Sequence, residues 1–336
     1  LLSRDLLTDS GSIFVQISDE NMHHVRELMD EVFEKENFVS VITFTKTTGF
    51  GSAFIDSVAD FILWYAKDKE RLKYRQLYLA KKIGDEGASS YNYIEEANGK
   101  RKSYRKDEII PEGAQIFTTT DLTSQGSTPA TVPFEFQGKI YHPGRNSHWK
   151  TSVEGLKRLA EVNRIISTGD RIRYVRYFDD FPVFPISNVW ADTGGETDKL
   201  YVVQTSTSVI QRCILMTTDP GDLVFDPTCG SGTTAYVAEQ WGRRWITCDT
   251  SRVALTLARQ RLMTAVYPYY KLADEEMGVK GGFVYEEVPH ITLKSIAQNE
   301  PAQKEILFDK PEIDRKRIRV AGPLTVEGIP QHSTLD

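Results

Sequence analysis

Apolar positions recur along the first part of the chain with two different periods. Leu1, Leu2, Leu6 and Leu7 stand at helical spacing over residues 1–8. After the turn Asp9-Ser10-Gly11, the run Ser12-Ile-Phe-Val-Gln-Ile17 is too apolar for an exposed face and predicts a buried strand. Ser18, Asp19 and Glu20 then offer an N-cap and first-turn acids. They precede Met22, Val25, Leu28, Met29, Val32 and Phe33, which line one side of a predicted helix. Phe38 to Phe44 and Asp60 to Ala66 are further strand candidates, parted by the loop Thr47-Thr-Gly-Phe-Gly-Ser52. From about Lys67 to Lys199 the periodicity weakens, and turn signals fall at Gly84, Gly99, Gly126, Gly138 and Pro143-Gly144. Its most regular piece is Ser152 to Ile166, with Val153, Leu156, Leu159, Ala160 and Ile165 at helical spacing. After Lys199 strands and helices alternate again. Thr205 to Thr217 reads as a helix, Asp222 to Phe225 as a strand, Thr233 to Trp241 as a helix, Arg244 to Cys248 as a strand and Ser251 to Val266 as a helix.

This alternation predicts the α/β class, with the middle module inserted into one doubly wound sheet. Gly281 to Ile296 predicts a strand and a short helix; Glu300 to Val320, charged and poorly periodic, reads as a connector. Val320 to Pro330 reads as a turn leading into a β segment, and the chain has the look of a fragment at both ends.

With 336 residues and 40% apolar content, the chain is long enough for two packed regions. It holds no run of 18 apolar residues and no series that reads as a signal peptide, so a cytoplasmic location without membrane contact is expected. Cys213, Cys229 and Cys248 form no C-x-x-C pair and no zinc-spaced cluster, so no metal is expected. A net charge of −6 rules out coating nucleic acid by bulk charge and confines such contact to local patches. Two segments interleave cations with aromatics: Lys100-Arg101-Lys102-Ser-Tyr-Arg-Lys106 and Arg171-Ile-Arg173-Tyr-Val-Arg176-Tyr177. Phosphate contact from Lys100, Arg101, Lys102, Arg171, Arg173 and Arg176 fits that pattern; a solvated turn or an edge strand with outward arginines fits each one singly.

The strongest signal is Asp222-Leu-Val-Phe-Asp226-Pro227-Thr228-Cys-Gly230-Ser-Gly232-Thr233-Thr234. A strand ends at Asp226, a tight glycine loop follows, and a helix begins at Thr233, the layout of a nucleotide-like site. Asp249, 23 residues after Asp226, closes the next strand where a carboxylate can accept from ribose hydroxyls. The run Gly230-Ser-Gly-Thr-Thr-Ala235 also satisfies G-x-G-x-x-A, which makes a dinucleotide a serious rival. Asp226 tells against it. A carboxylate facing a pyrophosphate at about 4 Å is repelled by about 4 kcal/mol at an effective dielectric of about 20. The same carboxylate favours a cationic ligand group. No Lys follows the second glycine, so a P-loop is excluded.

At these residues the chain resembles the amino-group DNA methyltransferases, in particular the modification subunits of type III restriction systems. Their glycine motif D-P-[FT]-x-G-S-G-T-T is matched by Asp226 to Thr234. The resemblance implies a Rossmann-like fold with S-adenosylmethionine as cofactor, its cationic methionine end near Asp226. Lys199 to Ile214, with Gln204 and Thr205, is similar to the helix that closes over that end, and Leu7 to Phe33 resembles the segment placing Asp19 on the cofactor side. Tyr141 to Trp149 and Trp190-Ala-Asp192 resemble the target-recognition region.

On this resemblance, residues 1–68 are the first part of the methyltransferase core and 69–198 a target-recognition insertion. Residues 199–296 are the cofactor-binding part and 297–336 a connector. The implied reaction is methyl transfer to an exocyclic amino group of double-stranded DNA, with adenine N6 preferred over cytosine N4 and with a restriction subunit and a homodimer as implied partners. Methylation at cytosine C5 is disfavoured, because it needs a nucleophilic Cys, usually after Pro, and none of the three follows a proline. The glycine loop lies after the recognition region, as in the beta subgroup, where a catalytic [DNS]-P-P-[YF] comes first. No such motif stands in the 336 residues, so the chain by itself is expected to be inactive, its catalytic residues unassigned. Two other readings remain: a dinucleotide-dependent oxidoreductase, and a DNA-binding remnant without catalysis.

Overall fold

The computed structural model describes residues 2–46, 51, 54–106, 108–126, 131–194 and 205–328. Most of the predicted Thr47–Ser52 loop, part of the Lys199–Ile214 segment and Gln204 lie outside the described residues. Among the described residues the helices are α1 Leu2–Asp5, α2 Asp19–Phe33, α3 Val153–Glu161, α4 Thr207–Thr217, α5 Thr233–Gln240, α6 Arg252–Thr264 and α7 Leu293–Ala297. None is long and apolar enough to cross a membrane. The chain divides into two units, residues 1–77, 186–286 and 308–336, and residues 78–185 and 287–307.

In the first unit the apolar strand predicted after Gly11 forms β1, Ser12–Ile17, and pairs antiparallel with β3, Ala59–Ala66. β3 also pairs antiparallel with β2, Phe38–Thr45, and the short strand Val189–Trp190 adds to β2 in parallel. The sheet order is β1, β3, β2, Val189–Trp190. α2 carries its apolar side as the spacing predicts, burying Met29 and Phe33 against Leu63 and Tyr65. The Tyr65 hydroxyl donates to Asp30 Oδ1 of α2 at 2.5 Å, and burial together with that bond raises its pKa. The other face of the sheet gives Ile42, Phe44, Ile62 and Trp64 to a core shared with Val209, Leu215 and Met216 of α4, Val237 and Ala238 of α5, and Trp241.

The strands Leu223–Asp226 and Arg244–Thr247 form a separate parallel pair, Phe225 opposite Ile246. Among the described residues this pair has no further ladder partner, and Val266–Tyr270 with Ile313–Val320 forms another pair in the same unit. Val224 and Trp245 pack on the core, whereas Leu223, Phe225 and Ile246 on the opposite face are 50%, 42% and 52% exposed. Such exposure is unusual for a parallel ladder, which normally has both faces covered.

In the second unit, Ile165–Thr168, Arg171–Tyr177, Gln115–Asp121, Tyr93–Glu95 and Arg101–Ser103 form an antiparallel sheet in that order. The weak periodicity of this stretch reflects strands of three to seven residues, too short to show an alternation. α3 buries Leu156 and Leu159 against Leu122, Trp149 and Tyr174, and its N-cap is Ser152, whose side chain accepts from Gly155 N. Ile165 belongs to a strand rather than to this helix, because Asn163 takes φ +58° and turns the chain. The largest departure from expectation lies at Glu300 to Val320. Instead of a connector, the chain forms the strands Gln303–Pro311 and Ile313–Val320, the first beside Tyr285–His290 and the second beside Val266–Tyr270. Four cations in Ile313–Val320 obscure the alternation, since most of its side chains face water. The β segment expected at Val320 to Pro330 is absent among the described residues 321–328.

Candidate cofactor site and basic surface

Local geometry around the glycine loop starts with a polar clamp. Lys73 Nζ bridges Asp219 Oδ2 at 2.9 Å and Asp222 Oδ2 at 2.7 Å, and Arg75 also pairs with Asp219. Burial alone would pull the Lys73 pKa down, but the two carboxylates raise it overall; the same ammonium holds Asp222 below the usual carboxylate range against its own burial. Arg243, buried beside them, donates to Thr218 O and Trp241 O. This clamp fixes the residues that lead into Leu223–Asp226.

The strand ends at Asp226, whose Oδ1 accepts from Thr228 N at 2.9 Å and Thr228 Oγ1 at 3.1 Å. Oδ2 receives no hydrogen bond among the described residues. The loop then turns through Gly230 at φ +52° and Gly232 at φ +74°, in the left-handed region that side chains with a Cβ disfavour. Gly232 has a second reason to be glycine. A Cβ there would stand 2.7 Å from Ala258 Cβ, so its absence lets α5 start against α6. Asp249, after the neighbouring strand, ties the loop from the side. Its Oδ2 accepts from Gly230 N and its Oδ1 from Ser251 N, both at 2.8 Å. Each of its oxygens keeps a lone pair for a further donor. Two carboxylates thus flank one glycine turn, an arrangement suited to a ligand with hydroxyl donors and a cationic group, and unsuited to a pyrophosphate.

Pro227 and Thr228 are exposed on the loop. Thr233 is buried with its hydroxyl turned to Arg261 at 3.0 Å, so it serves the contact between α5 and α6. Thr205 lies just before α4 and donates to Gln16 Oε1 of β1 at 2.5 Å, and Asp19 is exposed on the first turn of α2. Ser18 is the N-cap residue by position, but its side chain accepts no capping bond. The structure therefore places Asp226, Pro227, Thr228, Gly230 and Gly232 in one loop, with Asp249 bonded to it from the end of the neighbouring strand. Thr205 and Asp19 stand instead on segments next to β1, a strand of the four-stranded sheet. Burial pushes the Cys213 thiol up to about 12 and raises that of Cys229, the opposite of what a nucleophilic thiol needs.

The family model described as DNA methylase, of the N6/N4 methyltransferase type, matches residues 2–260. The chain belongs to the DNA methylase family. Among its relatives, the type II methyltransferase M.EcaI of Enterobacter cloacae is 27% identical over 276 residues, covering 78% of this chain and 55% of the relative. The probable type III restriction-modification enzyme HindVI Mod subunit of Haemophilus influenzae is 23% identical, covering 94% of this chain and 49% of the relative. This DNA methylase chain spans about half the length of the curated relatives it matches. Among solved structures, the cytosine-N4-specific PvuII DNA methyltransferase aligns at 12% identity and a TM-score of 0.39, over 89% of this chain and 74% of that one.

On the second unit of the DNA methylase chain, the six basic residues singled out in the sequence separate sharply. The Arg101 guanidinium is fully engaged, with Glu95 Oε2 at 2.5 Å, Ile165 O at 3.1 Å, and Asn163 O. It ties one strand end to the segment around Ile165, a long-range role that the local basic pattern could not reveal. Lys102 pairs with Glu96 at 2.6 Å, and Arg173 donates to Thr119 O at 3.1 Å beside Asp121. Lys100, Arg171 and Arg176 have no carboxylate partner among the described residues. Trp149, buried, donates to Val132 O at 2.8 Å and is a core residue of this unit.

Proposed function

We propose that this protein binds S-adenosylmethionine at the Asp226–Thr234 loop and acts in methyl transfer to an exocyclic amino group of DNA, adenine N6 in preference to cytosine N4. The observation that carries the reading is the glycine turn flanked by the Asp226 and Asp249 carboxylates. Asp249 would accept from ribose hydroxyls with the lone pairs left over from Gly230 N and Ser251 N. The unpaired Oδ2 of Asp226 would face the cationic end, with Thr228, Pro227, Thr205, Gln204 and Asp19 assigned to the rest of the cofactor's surroundings. Bound there, the cofactor supplies an electrophilic methyl group. Membership of the DNA methylase family, with type II methyltransferases and type III Mod subunits as relatives, supports DNA as substrate and a restriction-modification setting. A restriction subunit and a second copy are the proposed partners, and residues 69–198 the proposed target-recognition insertion.

The test is calorimetric titration of the protein with S-adenosylmethionine and, separately, with NAD. Binding of the first and not the second is expected. Asp249→Ala should weaken it about 100-fold, as loss of charge-assisted bonds worth about 2–3 kcal/mol requires. Binding of NAD alone would sink the proposal and leave the oxidoreductase reading standing. Because no [DNS]-P-P-[YF] stands in these 336 residues, tritiated-methyl transfer to DNA by this chain alone should stay at background. Turnover by the chain would remove the need for that motif.

A further inference from the structure

The second unit carries more positive charge than it neutralises at one place. Asp180, 2% exposed, accepts two bonds from Arg164 and one from Tyr177 N, so its charge and most of its lone pairs are committed. Two further cations lie close by. The Lys81 ammonium sits 5.3 Å from the Tyr91 ring centroid and the Arg176 guanidinium 5.5 Å from the same centroid. Neither pairs with a carboxylate among the described residues; Lys81 instead donates to the Phe181 carbonyl and, at 3.5 Å, to the Tyr91 hydroxyl. Both are only half buried, so solvent reaches them.

Two donors at this place are also unsatisfied. Arg176 Nε is buried without an acceptor, and so is the hydroxyl of Tyr174, a residue 3% exposed. Tyr174 and Arg176 stand two apart on the strand Arg171–Tyr177 and so share a face. The Tyr174 hydroxyl feels the charges of Asp180, Arg164, Arg176 and Tyr91, which places it in the same cluster. Two cations without a carboxylate partner and two idle donors are costly when partly buried, and a single anion with several acceptor oxygens would satisfy all of them. We propose that Lys81 and Arg176, with the hydroxyls of Tyr91 and Tyr174, form a seat for a phosphate group, filled by the DNA backbone. The DNA source rests on the function proposed above; the seat itself does not.

A consequence in pH follows from the surroundings of Lys81. Burial, and after it the neighbouring Arg176 charge, lower its pKa to about 8 against the opposing pull of Asp180. The side chain is therefore charged at neutrality and loses its proton as the pH rises past about 8, taking part of the attraction with it. A bound phosphate restores the proton, so binding should be accompanied by proton uptake in that range.

Fluorescence anisotropy with a labelled duplex, followed from neutrality to about two pH units above it, tests the seat. Expected for the wild type is a loss of affinity of about tenfold across the Lys81 titration beyond that of Lys81→Arg, which stays charged throughout. Lys81→Gln should bind more weakly at neutrality, show no such step, and have a log affinity against log salt slope smaller by about one. A second arm titrates inorganic phosphate and reads the Tyr91 and Tyr174 ring resonances in the wild type and in Arg176→Gln. If the phosphate shifts vanish in the variant while DNA fails to bind the wild type, the seat stands with free phosphate as its occupant and the DNA reading fails. DNA binding with the same pH profile in wild type, Lys81→Arg and Lys81→Gln would overturn the seat and leave the DNA reading intact. Binding of neither probe overturns it outright.

Discussion

Asp180→Ala should destabilise the second unit by about 3–5 kcal/mol, the cost of leaving a buried cation without its partner. Asp180 is 2% exposed, and its carboxylate holds Arg164 through two bonds, Arg164 Nη2 to Oδ1 being 2.9 Å. It also accepts from Tyr177 N at 2.8 Å, which fixes the end of the strand Arg171–Tyr177. Alanine removes all three bonds. Burial would depress the Arg164 pKa, but Asp180 reverses that and raises it; without the carboxylate the burial penalty is uncompensated. The expected loss in melting temperature is roughly 10–20 °C for the transition that reports this unit. Adding Arg164→Met should recover much of the loss, because the orphaned charge goes with it. If the single variant melts within a degree or two of the wild type, Asp180 is not the anchor described here.

Gly232→Val should be the most damaging single change in the first unit. A β-branched residue held at φ +74° costs about 1–2 kcal/mol in backbone strain. Its Cβ would start 2.7 Å from Ala258 Cβ, and overpacking of that kind adds about 1–3 kcal/mol. The two contributions can be separated. In Gly232→Ala, the second change Ala258→Gly opens the space and should restore the packing part, but not the backbone part. Denaturant midpoints of the two single variants and the double variant give the division. Full recovery in the double variant would mean that the left-handed turn carries no cost. Cofactor titration of the same proteins should weaken in step, since Gly232 is the N-cap of α5 and joins the helix to the loop.

The glycine loop was legible because its determinants are local. Asp226, Gly230, Gly232 and Asp249 lie within 24 consecutive residues, and a strand, a tight turn and a helix follow from neighbours in sequence. The packing of Gly232 on Ala258 was not legible, because it depends on how two helices meet. The same distinction explains the basic segments. Lys100, Arg101 and Lys102 look alike in sequence, yet Glu95, Ile165 and Asn163 occupy the Arg101 guanidinium, Glu96 occupies Lys102, and Lys100 is left to solvent. Cross-strand register decides among them, and the composition of the segment does not encode register. Lys81 gave no signal either, being one of two adjacent lysines in an unremarkable run; its setting comes from Tyr91, ten residues on, and from Arg176 and Phe181, distant in sequence. The strands Gln303–Pro311 and Ile313–Val320 stayed hidden because consecutive charged residues, Asp314 to Arg317 above all, break the alternation and imitate a solvated linker.

The uncovered side of the parallel pair governs how the chain behaves in a test tube. Leu223, Phe225 and Ile246 present adjoining apolar side chains to water on a ladder that has two strands among the described residues. Salts that are excluded from protein surfaces, such as ammonium sulfate, raise the cost of wetting such a patch, and molecules can lower it by meeting face to face. Purification by salting-out would therefore select for association through this surface, and light scattering should rise first with added sulfate and fall again when Phe225 and Ile246 are both changed to threonine.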